Sequence, residues 1–142
     1  MLVILDTDHL SLLLFPDSEA ADRIVERLVS ERVGQLTTTI VTYEEQSRGW
    51  LARIARARSI DQEIESYRKL RDSLADFCVM EVLDFDEEAA AEYQRLRQMK
   101  VRIGSMDLKI AAIALARGAT LLTRNLADFR KVPGLKVEDW SR

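Results

Sequence analysis

The sequence predicts an α/β sandwich on a mainly parallel central sheet of four to five strands, and three observations carry that prediction. Short strand-like runs alternate with helical stretches along the whole chain, the signature of a sheet covered by helices. The first run, Leu2 to Leu5, is apolar and ends abruptly on Asp6, as a strand buried on both faces does. A late helix around Leu108 to Ala116 has little polar surface, and its alanines allow close approach to a sheet. The 142 residues, 47% hydrophobic and 32% charged, suffice for one domain, 1–142, with its own core. No repeat, low-complexity segment or linker divides them.

Taken in order, Leu2–Leu5 is too short for a helix and delivers Asp6 to a strand's carboxyl end. In open parallel sheets the ligand crevice lies at that edge, although Asp6 or Thr7 could equally cap the helix that follows. His9 to Phe15 reads as a short apolar helix stopped by Pro16. Asp17 or Ser18 caps a second helix, whose Ala21, Ile24, Val25, Leu28 and Val29 form an amphipathic stripe ended by Gly34. Gln35 to Val41, rich in Thr and β-branched residues, is the second strand. Thr42-Tyr-Glu-Glu45 is a capping box opening the third helix, which carries Arg48, Arg53, Arg56 and Arg58, with Trp50, Leu51 and Ile54 available to pack. Ser59-Ile-Asp-Gln62 is a second capping box. Behind it Ile60, Ile64, Tyr67, Leu70, Leu74 and Phe77 step by three or four along a long, one-sided helix. Val79 to Leu83 is the third strand, and Asp86 caps a fifth helix with Ala89, Tyr93 and Leu96 inward. A basic loop, Lys100-Val-Arg102-Ile-Gly104, leads to Ser105, which caps the alanine-rich sixth helix. Gly118 stops that helix, Ala119 to Leu122 is the fourth strand, Leu126 to Phe129 a turn, and Leu135 to Val137 a short fifth strand.

Composition excludes several chemistries. Cys78 stands alone, which rules out an internal disulfide and a multi-cysteine metal site. Its place after Phe77 predicts a buried, inert thiol. One histidine excludes a His-rich centre, so any metal must be held by oxygen, which points to Mg2+ or Mn2+. No apolar run approaches the roughly 20 residues that span a bilayer. No basic-then-apolar leader precedes Asp6, so the expected location is cytoplasmic. The formal charge of −3 is unevenly spread: Arg95 to Lys131 holds nine Lys/Arg against two Asp/Glu. A basic segment on an acidic chain supports a nucleic-acid or phosphate surface.

The carboxylates carry the functional argument. Asp6 ends the first strand, Glu45 lies early in the helix after the second, and Asp128 lies just past the fourth. In a parallel sheet these positions share one edge. Asp107 lies in the first turn of the helix that precedes its strand, so it must reach that edge from a long connection, and Glu92 to Gly104 permits one. Acids brought together repel and are pushed toward protonation unless a cation neutralises them. A hard divalent metal is therefore the economical explanation of such a cluster, and it suits phosphodiester hydrolysis. Each acid also has a bland alternative: Asp6 as a cap, Glu45 as capping-box partner, Asp107 as a helix-dipole acid, Asp128 as an exposed turn residue.

Several stretches together resemble a known family: Ile4-Leu-Asp6-Thr-Asp8-His-Leu-Ser11, Ile40-Val-Thr-Tyr-Glu-Glu45-Gln-Ser-Arg-Gly49, Gly104-Ser-Met-Asp107-Leu-Lys-Ile-Ala-Ala112, Leu122-Thr-Arg-Asn125-Leu-Ala-Asp128-Phe129 and Pro133-Gly-Leu-Lys-Val-Glu-Asp-Trp140. In this order they resemble the PIN-domain ribonucleases, specifically VapC-like toxins of type II toxin–antitoxin pairs. The resemblance implies a three-layer α/β/α fold and a Mg2+- or Mn2+-dependent endoribonuclease with metal-site acids Asp6, Glu45 and Asp107. It adds a less constant fourth acid at Asp128 and supporting hydrogen bonds from Thr7, Thr123 and Asn125. RNA is expected along Lys100, Arg102 and Arg124. Implied partners are an RNA substrate, an antitoxin whose segment fills the site, and a second copy in a homodimer. Of the adjacent Glu44 and Glu45, the four-residue spacing to Gly49 favours Glu45.

Other readings stay open at this point. Asp6-Thr7-Asp8 could be the nucleophile and acid pair of a haloacid-dehalogenase-like phosphatase, but that pattern wants Thr or Val where Leu10 stands. A receiver domain fits the length, yet Glu81 and Asp84 match its acceptor poorly. A catalytically silent, PIN-like RNA-binding or scaffolding module is the alternative from outside the enzymes. Asp8 is expected to be structural or to support Asp6.

Overall fold

Five strands of three residues each form the sheet framework, all paired parallel: β1 (Val3–Leu5), β2 (Thr37–Thr39), β3 (Glu81–Leu83), β4 (Thr120–Leu122) and β5 (Lys136–Glu138). The computed structural model describes residues 1–142. Its helices are α1 (Thr7–Leu14), α2 (Glu19–Ser30), α3 (Ile40–Arg56), α4 (Ile60–Cys78), α5 (Glu87–Gln98), α6 (Ser105–Arg117) and the short α7 (Leu126–Phe129). The strands fall into two ladders rather than one continuous sheet, β1-β4-β5 and β2-β3. What joins them is a side chain. The Thr38 hydroxyl donates to the Leu5 carbonyl at 2.9 Å, so β2 lies beside β1 without a backbone rung.

The alternation of β1 explains the layering. Ile4 packs with Val41, Leu96, Ile110, Ile113, Leu121 and Phe129 under α5 and α6. Val3 and Leu5 point the other way, to Leu10, Ile24, Leu28, Phe77 and Trp140 under α1, α2 and α4. A strand buried on both faces between two helical layers gives the three-layer α/β/α arrangement. The alanines of α6 do what their size predicts: Ala111, Ala112 and Ala114 are fully buried against the sheet.

Several sequence expectations need correction. The second strand is shorter than Gln35–Val41, because Thr39 already caps α3: its hydroxyl accepts from the Thr42 N–H at 3.1 Å. The Thr42–Glu45 capping box therefore does not exist, and Thr42 lies buried inside the first turn. Ser59 caps α4 as expected, with Gln62 reaching back to the Arg58 N–H at 2.7 Å. Ser18, not Asp17, caps α2, and Asp86 caps α5. Ser105 is the first residue of α6 rather than its cap, which is Gly104 with no side-chain bond. The first strand starts at Val3, and the fifth is displaced by one residue, ending on Glu138. Cys78 is exposed, because it ends α4 on the face opposite Phe77. Val25 and Val29 are also exposed, since only Ala21, Ile24 and Leu28 of that stripe reach the core. Along α4, Ile60, Ile64, Tyr67 and Leu74 face outward, and only Phe77 of the apolar set is buried. No helix is long and apolar enough to cross a membrane.

Candidate active site

Asp6 follows β1 directly, and its N–H continues the ladder to the Leu122 carbonyl at 2.9 Å. The carboxylate is 6% exposed and fully engaged. One oxygen accepts the Thr7 N–H at 2.8 Å, capping α1, and the other accepts the Thr123 hydroxyl at 2.8 Å. Cap and site acid are thus compatible readings of one side chain. Thr123 is held in turn by β5, its N–H donating to the Glu138 carbonyl at 3.0 Å.

Glu45 stands in the second turn of α3, freed from capping because Thr39 does that work. Its carboxylate accepts the Thr7 hydroxyl at 3.2 Å. Glu44 turns outward to Arg48 at 2.6 Å, which settles which of the adjacent acids faces Thr7. Asp107 sits in the first turn of α6. The connection that brings it there is only residues 99–104, because α5 occupies most of the stretch read as a long loop. Asp128, in α7, accepts from the Asn125 amide at 3.1 Å and pairs with Lys131 at 3.3 Å.

Electrostatics shows which of these acids share a field. Burial pushes the Asp6 carboxyl up to about 6, with repulsion from Asp8 and Asp107 adding to it against the Thr123 and Thr7 bonds. Burial also raises Glu45, with Asp107 and Glu44 contributing. Asp107 is raised by burial and then by Asp128 and Asp8, with no donor offsetting them. Asp128 goes the other way, held low by its bonds from Asn125 and Lys131. Asp6 and Glu45 thus each feel the charge of Asp107, and no basic side chain offsets any of the three. All donors are oxygen, which fits a hard divalent ion. As arranged, no three of them are grouped closely enough to hold a metal ion; a magnesium ion is commonly bound through only one or two carboxylates and several waters.

The three basic residues expected to meet RNA are all exposed. Lys100 and Arg102 are exposed in the 99–104 connection that leads into α6, with Lys100 in the left-handed region at φ 59°. The Arg124 side chain is exposed, while its N–H donates to Asp8 at 3.0 Å. Sequence reasoning missed the partner of Asp8. Its other oxygen meets the fully buried His9 Nδ1 at 2.7 Å, and His9 Nε2 accepts the Trp140 N–H at 3.1 Å. The quoted Asp8-His9 and Asp139-Trp140 pairs contained the signal, but nothing in spacing joins residues 131 positions apart.

The PIN-domain family profile matches residues 3–135. The chain belongs to the PIN-domain family. This PIN domain is 38% identical over 65 residues to a tRNA(fMet)-specific endonuclease VapC of Salmonella typhimurium, covering 43% of this chain and 49% of that one. It is 26% identical over 126 residues to ribonuclease VapC1 of Haemophilus influenzae, covering 82% and 87%. The chain thus spans about half the length of the first curated relatives it matches. Among solved structures, VapBC-1 from nontypeable Haemophilus influenzae superposes over the full length of both chains, with a TM-score of 0.75 and 26% identity.

Proposed function

We propose that this PIN domain is a Mg2+- or Mn2+-dependent endoribonuclease and the toxin of a toxin–antitoxin pair. What supports the reading is that Asp6 and Glu45 are tied to one another through Thr7 and that each feels the charge of Asp107, with no basic side chain offsetting it. The names of its relatives, ribonuclease and tRNA-specific endonuclease, supply the substrate class.

Asp6, Glu45 and Asp107 would hold the cation, which when bound neutralises their repulsion and polarises a phosphoryl oxygen. Thr7 and Thr123 restrain the side chains of Glu45 and Asp6 through their hydroxyl hydrogen bonds. Asn125 orients Asp128 at the rim, where the acid can accept a hydrogen bond from water. Lys100, Arg102 and Arg124 would hold the polyanion against this acidic centre. The proposed partners are an antitoxin protein, which the likeness to VapBC-1 supports, and a second copy of the chain, with the cytoplasm as the proposed location. The exposed Ile60, Ile64, Tyr67 and Leu74 of α4 offer apolar area for a protein contact.

One observation favours a silent RNA-binding module: no three acids converge on a point without a ligand. Asp6 and Asp8 as a phosphatase pair are disfavoured, because Asp8 is already engaged by His9, Arg124 and Thr123. The test is incubation of purified protein with structured RNA and with or without Mg2+. Cleavage is expected only with the metal, and Asp107→Asn should reduce it by at least about a hundredfold. Binding without cleavage in every metal would establish the silent module. Undiminished cleavage by Asp107→Asn would remove that acid from the site.

A further inference from the structure

His9 is the only histidine of the chain and is completely buried. Its ring has a determined tautomer. Nε2 accepts the Trp140 N–H at 3.1 Å, so that nitrogen carries no proton. The Asp139 carboxylate, 3.6 Å from Nε2, is beyond hydrogen-bond reach and takes its donors from Ser141. The proton of the neutral ring therefore sits on Nδ1, which faces Asp8 at 2.7 Å.

That proton matters because of Thr123. Its hydroxyl has one hydrogen, and two carboxylates stand within reach: Asp6 at 2.8 Å and Asp8 at 3.3 Å. Asp8 is supplied instead by the His9 ring and the Arg124 N–H. Thr123 also accepts from the Asn125 N–H at 3.0 Å, which restricts its rotation further.

We propose that His9 is a positioning residue of the acid site: by supplying Asp8 with a donor, it leaves the single Thr123 proton on Asp6, and through Trp140 it ties that arrangement to the docking of the C-terminal segment. Bonds run from the Trp140 backbone through His9 to Asp8 and from Thr123 to Asp6, and the two meet where the Thr123 hydroxyl oxygen stands 3.3 Å from Asp8 without a proton for it. A fully buried histidine must have both ring nitrogens satisfied, and what distinguishes this one is where its two partners lie. Here the two ring nitrogens do separable jobs, Nδ1 toward the site and Nε2 toward the C-terminal segment. The activity consequence rests on the proposed RNA cleavage; the proton assignment does not.

Two variants separate the jobs. In His9→Asn the amide overlays Nδ1 and keeps a donor for Asp8, while the acceptor for Trp140 is lost. In His9→Gln the amide oxygen reaches the Nε2 position and keeps that acceptor, while the donor to Asp8 is lost. His9→Asn should melt lower yet retain kcat close to the parent. His9→Gln should lose kcat roughly ten- to hundredfold with little change in KM, the signature of a misplaced site group. Equal kcat in the folded fraction of both variants would reduce His9 to packing. Long-range 1H–15N spectra give an independent reading, since a lone histidine leaves no ambiguity of assignment. The Nδ1–H neutral tautomer is expected, and an Nε2–H or doubly protonated ring would overturn the proposal. Should the parent cleave no RNA, the ribonuclease reading fails while the His9 proposal is still decided. It then requires the Nδ1–H tautomer, with the Thr123, Arg124 and Asn125 amide resonances moving in His9→Gln and staying in place in His9→Asn.

Discussion

At the scale of single residues, Asp6 is held in a state that costs stability. Its carboxyl is raised from 3.8 to about 6, first by burial and then by Asp8 and Asp107. As pH rises, the unfolded chain ionises before the folded one, so the folded state binds more protons in between. Stability is therefore greatest below the unfolded value, is lost from there to about 6, and carries the whole penalty above that. The penalty is on the order of 3 kcal/mol. Asp6→Asn removes it and keeps the α1 cap, since Asn caps as well as Asp. In EDTA at pH 7.5, this variant should gain about 1–3 kcal/mol in urea unfolding, with the gain fading toward pH 4. A loss of stability at pH 7.5 would mean that Asp6 is not ionised at a cost. Because a metal and a proton compete for the same oxygen, the Mn2+ affinity of the parent should weaken below pH 6. Calorimetric titrations at pH 5 and 7.5 should differ by about tenfold, one proton per ion bound. A pH-independent affinity would place the ion elsewhere.

At the scale of elements, the sequence announced most helices, and where it misled, the cause is local. Thr37, Thr38 and Thr39 are three buried threonines in one strand, two of them with distinct roles that pattern alone does not assign. Thr39 caps, Thr38 bridges the two ladders, and the capping box written in Thr42 and Glu45 is a coincidence of spacing. The first turn of α3 thus begins three residues earlier than a box at Thr42 implies, which frees Glu45 from capping. Thr39→Ala should cost about 1–2 kcal/mol, as a lost buried cap does. If Glu45→Ala were to destabilise the helix by as much, the box reading would return. The amphipathic stripes of α2 and α4 were legible as helices but not as to which apolar residues are covered. Period specifies a face, whereas burial depends on what the fold places against it. Gly49 sits in the middle of α3, and a Cβ there would meet nothing within 4 Å. Gly49→Ala should therefore raise stability by about 0.8–1 kcal/mol through helix propensity alone, read as a higher midpoint at unchanged urea slope. A loss instead would reveal a contact on that face.

At the scale of the whole molecule, charge is segregated along the chain and regrouped by the fold. Parallel topology brings Asp6, Glu45 and Asp128 to one edge, as the order of strands and acids in the sequence allows. The place of Asp107 was less legible, because it depends on the turn at 99–104 and not on a strand end. The same turn carries the exposed Lys100 and Arg102 just ahead of α6, the helix that bears Asp107. An acidic protein of net charge −3 repels RNA on average, and within a Debye length of roughly 8 Å at physiological salt the local cations decide whether the strand approaches. If Lys100 and Arg102 each neutralise a phosphate, replacing both by Ala removes two released counterions. The slope of log affinity against log salt should then shallow by about 1.4 for single-stranded RNA. The comparison is best made in the Asp107→Asn background with Ca2+, so that binding is read without cleavage. Affinity that falls equally at every salt concentration, with the slope intact, would mean the pair shapes the turn and does not touch the strand.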